Sequence, residues 1–277
     1  MIRRMTASHE QEYVLGTHDD ELVRLGFQHR VWSEQAYSIW ERAGFAPGQS
    51  LLDLGCGPGF AAFDLAQIVG QTGRIIAVDA SARFIGHLKV QQAARGVQNI
   101  DARVLDAHQV DLPPNSIDGA YMRWVLCFVS DPAAVVANVA RALRPGGVLA
   151  VQDYHNYKAI TLGPRSDVFD RTIAVVEQAW RLRGGDPDVV GRLPAIVERC
   201  GLRVRELRPI LRVARPGSLL WHWPTTFFRN FLPTLVQMGL LTATDREAFE
   251  SEWAARSADR NTFFCTPPVY DLIAVKS

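Results

Sequence analysis

The residues with the clearest chemistry lie in Leu51-Leu52-Asp53-Leu54-Gly55-Cys56-Gly57-Pro58-Gly59. An apolar run ends at an aspartate and passes into a glycine-rich turn that opens a helix. Gly55 and Gly57, either side of Cys56, permit torsions and a close backbone approach that a Cβ would obstruct. Gly59 lets the helix begin close to the sheet, and the free N–H groups at such a start suit an anionic or carboxylate-bearing ligand. Asp79 ends the next apolar run, Ile75-Ile76-Ala77-Val78, 20 residues beyond Gly59. Followed by Ala80, it stands where a nucleotide-binding βαβ unit places an acid for ribose hydroxyls. Asp106, in Val104-Leu105-Asp106-Ala107, ends a third run. It reads either as a strand cap or as an acceptor for an adenine amino group, with a neighbouring N–H, that of Ala107, serving a ring nitrogen.

Such residues need a scaffold that gathers strand ends. Ser50–Leu54, Arg74–Val78, Asp101–Leu105, Ile117–Met122 and Val148–Gln152 have the short apolar runs of buried strands. Phe60–Ile68, Ser81–Arg95 and Pro132–Leu143 between them carry helical periodicity. The alternation predicts an α/β fold of βαβ units, with a parallel sheet and helices on both faces. Residues 1–46 read as N-terminal helices covering the site, stopped by Gly44 and Pro47-Gly48. Residues 47–277 form the main domain, with helical lid insertions at about 156–200 and 216–258. Within the C-terminal half, Asp167–Arg183 and Val189–Cys200 read as helices. Arg203–Val213 reads as a strand whose arginines are solvated edge charges. Phe263–Val275 reads as a final strand that must bulge, bend or lie at an edge where Pro267-Pro268 interrupts it.

A dinucleotide fingerprint would need glycine at position 60, where this chain has phenylalanine, and has no place for Asp53. The stretch Asp53–Gly59 instead resembles the first motif of class I S-adenosylmethionine-dependent methyltransferases of small molecules. Asp79 matches that family's ribose-binding acid and Asp106 its adenine-side acid. Leu143-Arg144-Pro145-Gly146-Gly147 looks like the turn before its fifth strand, and Asp131-Pro132 like a pair found in many members. Tyr13 and Gln28 are similar to residues of a subset whose N-terminal helices cover the cofactor; they read either as closing over its methionine end or as ordinary helix-surface packing. The resemblance is dense over residues 50–153 and looser beyond. It implies a Rossmann-like, seven-stranded, mostly parallel sheet, S-adenosyl-L-methionine as cofactor, and direct displacement onto a lone-pair donor, in which alignment and exclusion of water do most of the catalysis.

Strand ends beyond the glycine loop should line the reaction cleft. Arg123 follows the fourth strand, as a partner for the cofactor carboxylate or a substrate anion, or as a surface ion pair. Trp124, Tyr154 and Tyr157 are candidates for the acceptor pocket. His155 reads either as a general base, with an ordinary pKa near ~6.5 suited to a hydroxyl or amine proton, or as a loop histidine that shapes the pocket. Trp221-His222-Trp223-Pro224, with Phe227, Phe228 and Phe231, forms an aromatic stripe, either core or a wall of that pocket through Trp221 and Trp223. Tyr154-His155-Asn156-Tyr157-Lys158 contains a YxxxK pattern, but the glycine spacing does not fit a short-chain dehydrogenase. A cofactor-binding protein without turnover, acting as a regulator or partner subunit, is the remaining alternative.

Composition narrows the partners. With 30 Lys+Arg against 29 Asp+Glu, the net charge of +1 gives no electrostatic reason to bind nucleic acid. The 48% of hydrophobic residues suffices for a large core, yet no apolar run approaches membrane-spanning length. The start of the chain has no hydrophobic region of signal-peptide length. Cys56, Cys127, Cys200 and Cys265 are too scattered for a metal cluster or radical chemistry. The expectation is a cytoplasmic, metal-independent monomer or homodimer acting on a small-molecule acceptor, without nucleic-acid or membrane partners.

Overall fold

The alternation of apolar runs and amphipathic stretches becomes strands and helices in the computed structural model, which describes residues 19–277. The first half contains α1 (Asp19–Ala43), β1 (Ser50–Leu54), α2 (Phe60–Val69), β2 (Arg74–Asp79), α3 (Ala82–Arg95), β3 (Ile100–Val104), β4 (Ile117–Arg123), α4 (Pro132–Ala142) and β5 (Leu143–Tyr154). The second contains β6 (Thr161–Gly163), α5 (Asp167–Leu182), α6 (Leu193–Arg199), β7 (Leu202–Ile210) and β8 (Val213–Ala214). It ends with α7 (Leu219–Gln237), α8 (Ala243–Ala258), β9 (Phe263–Cys265) and β10 (Val269–Lys276).

Seven strands make one sheet in the order β3-β2-β1-β4-β5-β10-β7. β1 to β5 pair in parallel, and β10 runs antiparallel to both β5 and β7. Each strand feeds both faces because successive side chains point oppositely. Leu51, Ile75 and Ala77 pack with α1, α2 and α3, whereas Leu52, Leu54, Ile76 and Val78 pack on the other side with α4 and α6. Chain direction across the sheet reverses between β1 and β4, so the carboxyl ends of these neighbours open a crevice. A network of buried polar groups ties α1 to the sheet. Gln152 accepts from Tyr121 and donates to Asp271, and Arg42 reaches both Asp271 and Glu206.

Several expected elements divide. Among the described residues the N-terminal cover is a single helix, and Tyr13 lies outside them. Pro267-Pro268 splits the last strand: β9 joins β6 and β8 in a separate three-stranded sheet, while β10 enters the main one. Proline cannot donate to a ladder, so the chain changes sheets there. Val189–Cys200 is a short 3-10 turn followed by α6, which starts afresh with proline in its first turn and packs on α4 and β7 as a layer of the core rather than as lid. The Arg144-Pro145-Gly146-Gly147 turn is absorbed in β5, where the register with β4 shifts. α7 contains Pro224 and Pro233, neither of which can donate to the preceding turn.

Candidate functional site

The glycine loop sits at the crevice. Gly55 N and Cys56 N both donate to Val78 O, at 2.8 and 3.0 Å, pulling the turn across the end of β2. Gly55 and Gly59 have φ of +70° and +92°, and a Cβ on them would stand 2.3 Å from Val125 and 2.6 Å from Leu88. Only glycine fits both positions. Gly57 differs: its φ is +55° and nothing lies within 4 Å of where a Cβ would be, so its backbone faces open space. Asp79 holds this loop from the next strand, accepting from Gly57 N and Ser81 N at 2.8 Å each. Burial raises its pKa, and these two N–H bonds oppose the rise.

Asp53 is buried, with Oδ2 unpartnered. Burial pushes its carboxyl up to about 7; Arg123 pulls it down and Asp79 pushes it further up. Arg123 donates from Nη2 to His29 Nδ1 at 2.9 Å, and its Nη1 is buried without a partner. His29 Nε2 in turn lies 2.9 Å from Asp64 Oδ2, an arrangement that leaves the ring proton on Nε2. An open glycine backbone, a buried orphan carboxylate oxygen and a buried orphan guanidinium nitrogen fit a nucleoside carrying an amino-acid tail, whose ammonium and carboxylate would complete the two orphans. Asp106 turns its carboxylate back on His108, taking the backbone N and ring Nδ1 at 2.8 Å each, and so caps the 3-10 turn that begins at Ala107.

Next to this crevice, starting one residue along the chain from Arg123, is an aromatic cleft of about 510 Å³ counted out to its open mouth. Trp124, Tyr154, Tyr157 and Trp223 meet there as the aromatic reading expects, and Gln28 joins them from α1. Trp124 stacks between Tyr154 and Trp223, with centroids at 5.9 and 6.1 Å. Burial raises the pKa of Tyr154 and Tyr157, so both phenols stay protonated at neutral pH. Arg24, Phe128 and Trp180 are lining residues that the sequence pattern does not single out. Arg24 makes a buried two-point ion pair with Glu21 and donates to Gln28. The spacing of Glu21, Arg24, Gln28 and Trp32, three or four residues apart on α1, is the signal that would have found this face.

Two candidates turn elsewhere. His155 follows Tyr154 on the chain and points the opposite way, packing edge-on to Tyr270 and against Gly191, outside the cleft lining. It is therefore not placed as a base on the acceptor. Trp221, two residues from Trp223 on a helix, also faces away; it stacks on Trp253 at 4.7 Å and donates to Ser257. Residues two apart on a helix do not share a face. Among the described residues no group of three or more His, Cys, Asp or Glu side chains could hold a metal, and no helix is long and apolar enough to cross a membrane.

A family model described as a methyltransferase domain matches residues 52–151. The 2-phytyl-1,4-naphtoquinone methyltransferase of Synechocystis sp. is 32% identical over 171 residues, covering 60% of this chain and 69% of that protein. Its counterpart in Trichormus variabilis is 37% identical over 130 residues, 46% of this chain and 55% of that protein. The ubiquinone/menaquinone biosynthesis C-methyltransferase UbiE of Francisella tularensis subsp. novicida is 30% identical over 136 residues, covering 49% and 53%. The chain spans about half the length of most of the curated relatives it matches. Among solved structures, a putative methyltransferase from Bacillus halodurans superposes with a TM-score of 0.61 at 15% identity, over 87% of this chain and 97% of that one. At that identity the likeness speaks for the fold.

Proposed function

Because the chain belongs to the class I S-adenosylmethionine-dependent methyltransferases, we propose that it transfers a methyl group to a small, largely apolar ring acceptor by direct displacement. The observation that carries this reading is the adjacency of two unlike surfaces: a glycine loop held by Asp79, and beside it a cleft walled by Trp124, Tyr154, Tyr157 and Trp223. S-adenosyl-L-methionine, when bound, supplies an electrophilic methyl on a sulfonium. The chain's own residues bind, orient and dry the site. Gly55, Cys56, Gly57 and Gly59 give the backbone surface for the nucleoside, with Ala80 and Ala107 beside the two strand-end acids. Asp79 has lone pairs left for ribose hydroxyls, and Asp106 lies at the adenine side. Asp53 and Arg123 hold opposite ends of the amino-acid tail. The aromatic walls exclude water from the line of attack, and that exclusion with alignment accounts for most of the rate.

Among the described residues, no side chain in the cleft lining is a carboxylate or imidazole placed to take a proton, so the acceptor keeps its proton until the methyl is transferred and loses it to solvent as the product leaves. His155 packs on Tyr270 instead. Tyr13 and Gln28 serve the methionine end from the N-terminal segment, Gln28 also closing the cleft through Trp223. The reading places the protein in the cytoplasm as a monomer or homodimer acting on a small molecule, with neither nucleic acid nor membrane as partner. The near-zero net charge and four free cysteines support that setting.

Calorimetry tests the first half: S-adenosylmethionine and its demethylated product should bind, and binding of neither would sink the proposal. Transfer of labelled methyl into a metabolite extract tests the second. A protein that binds the cofactor but labels nothing across extracts would be a binding subunit instead.

A further inference from the structure

The tryptophans around the cleft fall into two groups. In the lid, Trp221, Trp223 and Trp253 each have a satisfied indole N–H, donated to Ser257, Gln28 and Thr225 at 2.9–3.1 Å. Trp124 and Trp180 line the same cleft, yet their Nε1 atoms are buried and have no hydrogen-bond partner; Trp32 and Trp40 also lack one, but both stand outside the lining. Both side chains are more than nine-tenths buried, at 9% and 3% exposed. Buried indole N–H groups usually find an acceptor, and an orphan gives up a hydrogen bond that water would have supplied. Trp124 is doubly costly, because its backbone sits at φ +53°, in the left-handed region that a bulky residue rarely occupies. Strain and an unmet donor at one residue, on the wall nearest the crevice, mark a position shaped for a ligand.

Charge narrows what that ligand is. The Arg123 guanidinium lies 5.1 Å over the Trp124 ring, and Arg212 lies 5.1 Å over Trp32, which packs edge-on against Trp124. Among the described residues Arg24 is the one charged side chain in the lining, and Glu21 already neutralises it. An ammonium-bearing acceptor would meet guanidinium charge with no carboxylate among those lining residues to offset it. An anionic acceptor would have to compete with a buried ion pair for Arg24. A neutral ring with hydrogen-bond-accepting oxygens meets neither obstacle and completes both orphan donors.

Building on the methyl-transfer reading, we propose that the acceptor is a neutral ring compound bearing hydroxyl or carbonyl oxygens, and that Trp124 and Trp180 select it by donating their indole N–H groups to those oxygens. The aromatic walls then recognise the ring, and the two N–H groups recognise its substitution. Discrimination of this kind is strong, because an analogue lacking the oxygen leaves the buried donors unmet.

The test uses the full chain saturated with S-adenosylhomocysteine and three probes of one ring size: 1-naphthol, naphthalene and 1-naphthylmethylamine. Affinities are read from tryptophan fluorescence and calorimetry. The expected result is 1-naphthol binding about tenfold more tightly than naphthalene, the product of about threefold from each indole N–H sharing its oxygen, with the ammonium probe weakest. Trp124→Phe and Trp180→Phe, which keep a ring and remove the N–H, should each cut that preference to about threefold, and S-adenosylhomocysteine affinity should stay within about twofold. Each variant stands alone as a test should the other misfold. Equal binding of naphthol and naphthalene, no binding of either, or preference for the ammonium overturns the inference. So does a loss of S-adenosylhomocysteine affinity in folded Trp124→Phe, which would assign that N–H to the cofactor. If the wild-type protein binds no S-adenosylhomocysteine at all, the methyl-transfer reading itself fails.

Discussion

The two halves of the site are built by different means. The half proposed for the cofactor is built around backbone at neighbouring positions of one strand–turn–helix, with the side chains of Asp53, Asp79, Asp106 and Arg123 near strand ends. The acceptor half is made from side chains contributed by α1, the end of β4, the segment after β5, α5, α7 and β9. A backbone cradle can be encoded locally, since glycine at a few adjacent positions and one acid fix it. A side-chain cleft is encoded only by the whole fold, because no two of its walls need be near in sequence. Changes in one half should therefore leave the other largely intact, and this separation can be tried directly.

The largest effect is expected from Glu21→Leu. It strands the Arg24 charge in the buried contact between α1 and α7, where Asn230 also reaches Glu21. Breaking one side of a buried pair costs about 3–5 kcal/mol. Urea denaturation should show that loss and methyl transfer should collapse, while folded protein keeps its cofactor affinity; a parallel fall in that affinity would show the halves to be coupled. Asp53→Asn probes the other half by pH. The folded carboxyl titrates at about 7, well above its ordinary 3.8, so the folded state keeps a proton that the unfolded chain releases. Wild-type stability should decline relative to the variant as pH rises from about 4 to about 7 and run parallel above it, by up to about 4 kcal/mol. Thermal melts across pH 4–8 that show no difference in slope would remove Asp53 from the picture.

Gly59→Ala should cost about 2–3 kcal/mol, because a Cβ at φ +92° would press on buried Leu88. Cofactor affinity by calorimetry should drop about a hundredfold, with the acceptor cleft's tryptophan fluorescence little changed. Trp223→Phe is the gentlest probe. It removes the 2.9 Å bond to Gln28 and leaves the ring, a loss of about 1 kcal/mol. The acceptor KM should rise severalfold with kcat and cofactor affinity nearly constant.

The same division governs how much of the molecule is legible in its amino-acid sequence. Ser50–Leu54 and Phe60 onward are legible because strand, turn and helix follow one another in tens of residues, and each glycine there has a local reason. The acceptor cleft is legible only as an aromatic excess. Tyr154 and His155 are adjacent in sequence but point to opposite sides, and Trp221 and Trp223 diverge on their helix, so in each pair one residue reaches the cleft and one does not. Trp180 and Phe128 carry no local pattern that separates a pocket wall from core. Phe263–Val275 reads as one strand because its composition is uniform, and only Pro267-Pro268 marks where the chain changes sheets.

α7 carries Trp223 past Pro224 and, two turns later, Pro233. Near the first proline the hydroxyls of Thr225 and Thr226 bond back to the carbonyls of Trp221 and Trp223, a pattern that bends helices. Trp223, Pro224, Phe227 and Phe228 of this helix line the cleft, so a change in its bend moves them together. Of the three helices that line the cleft, α7 is the one with proline inside its span. Admission of acceptor and escape of product would then share a single flexing point on this helix.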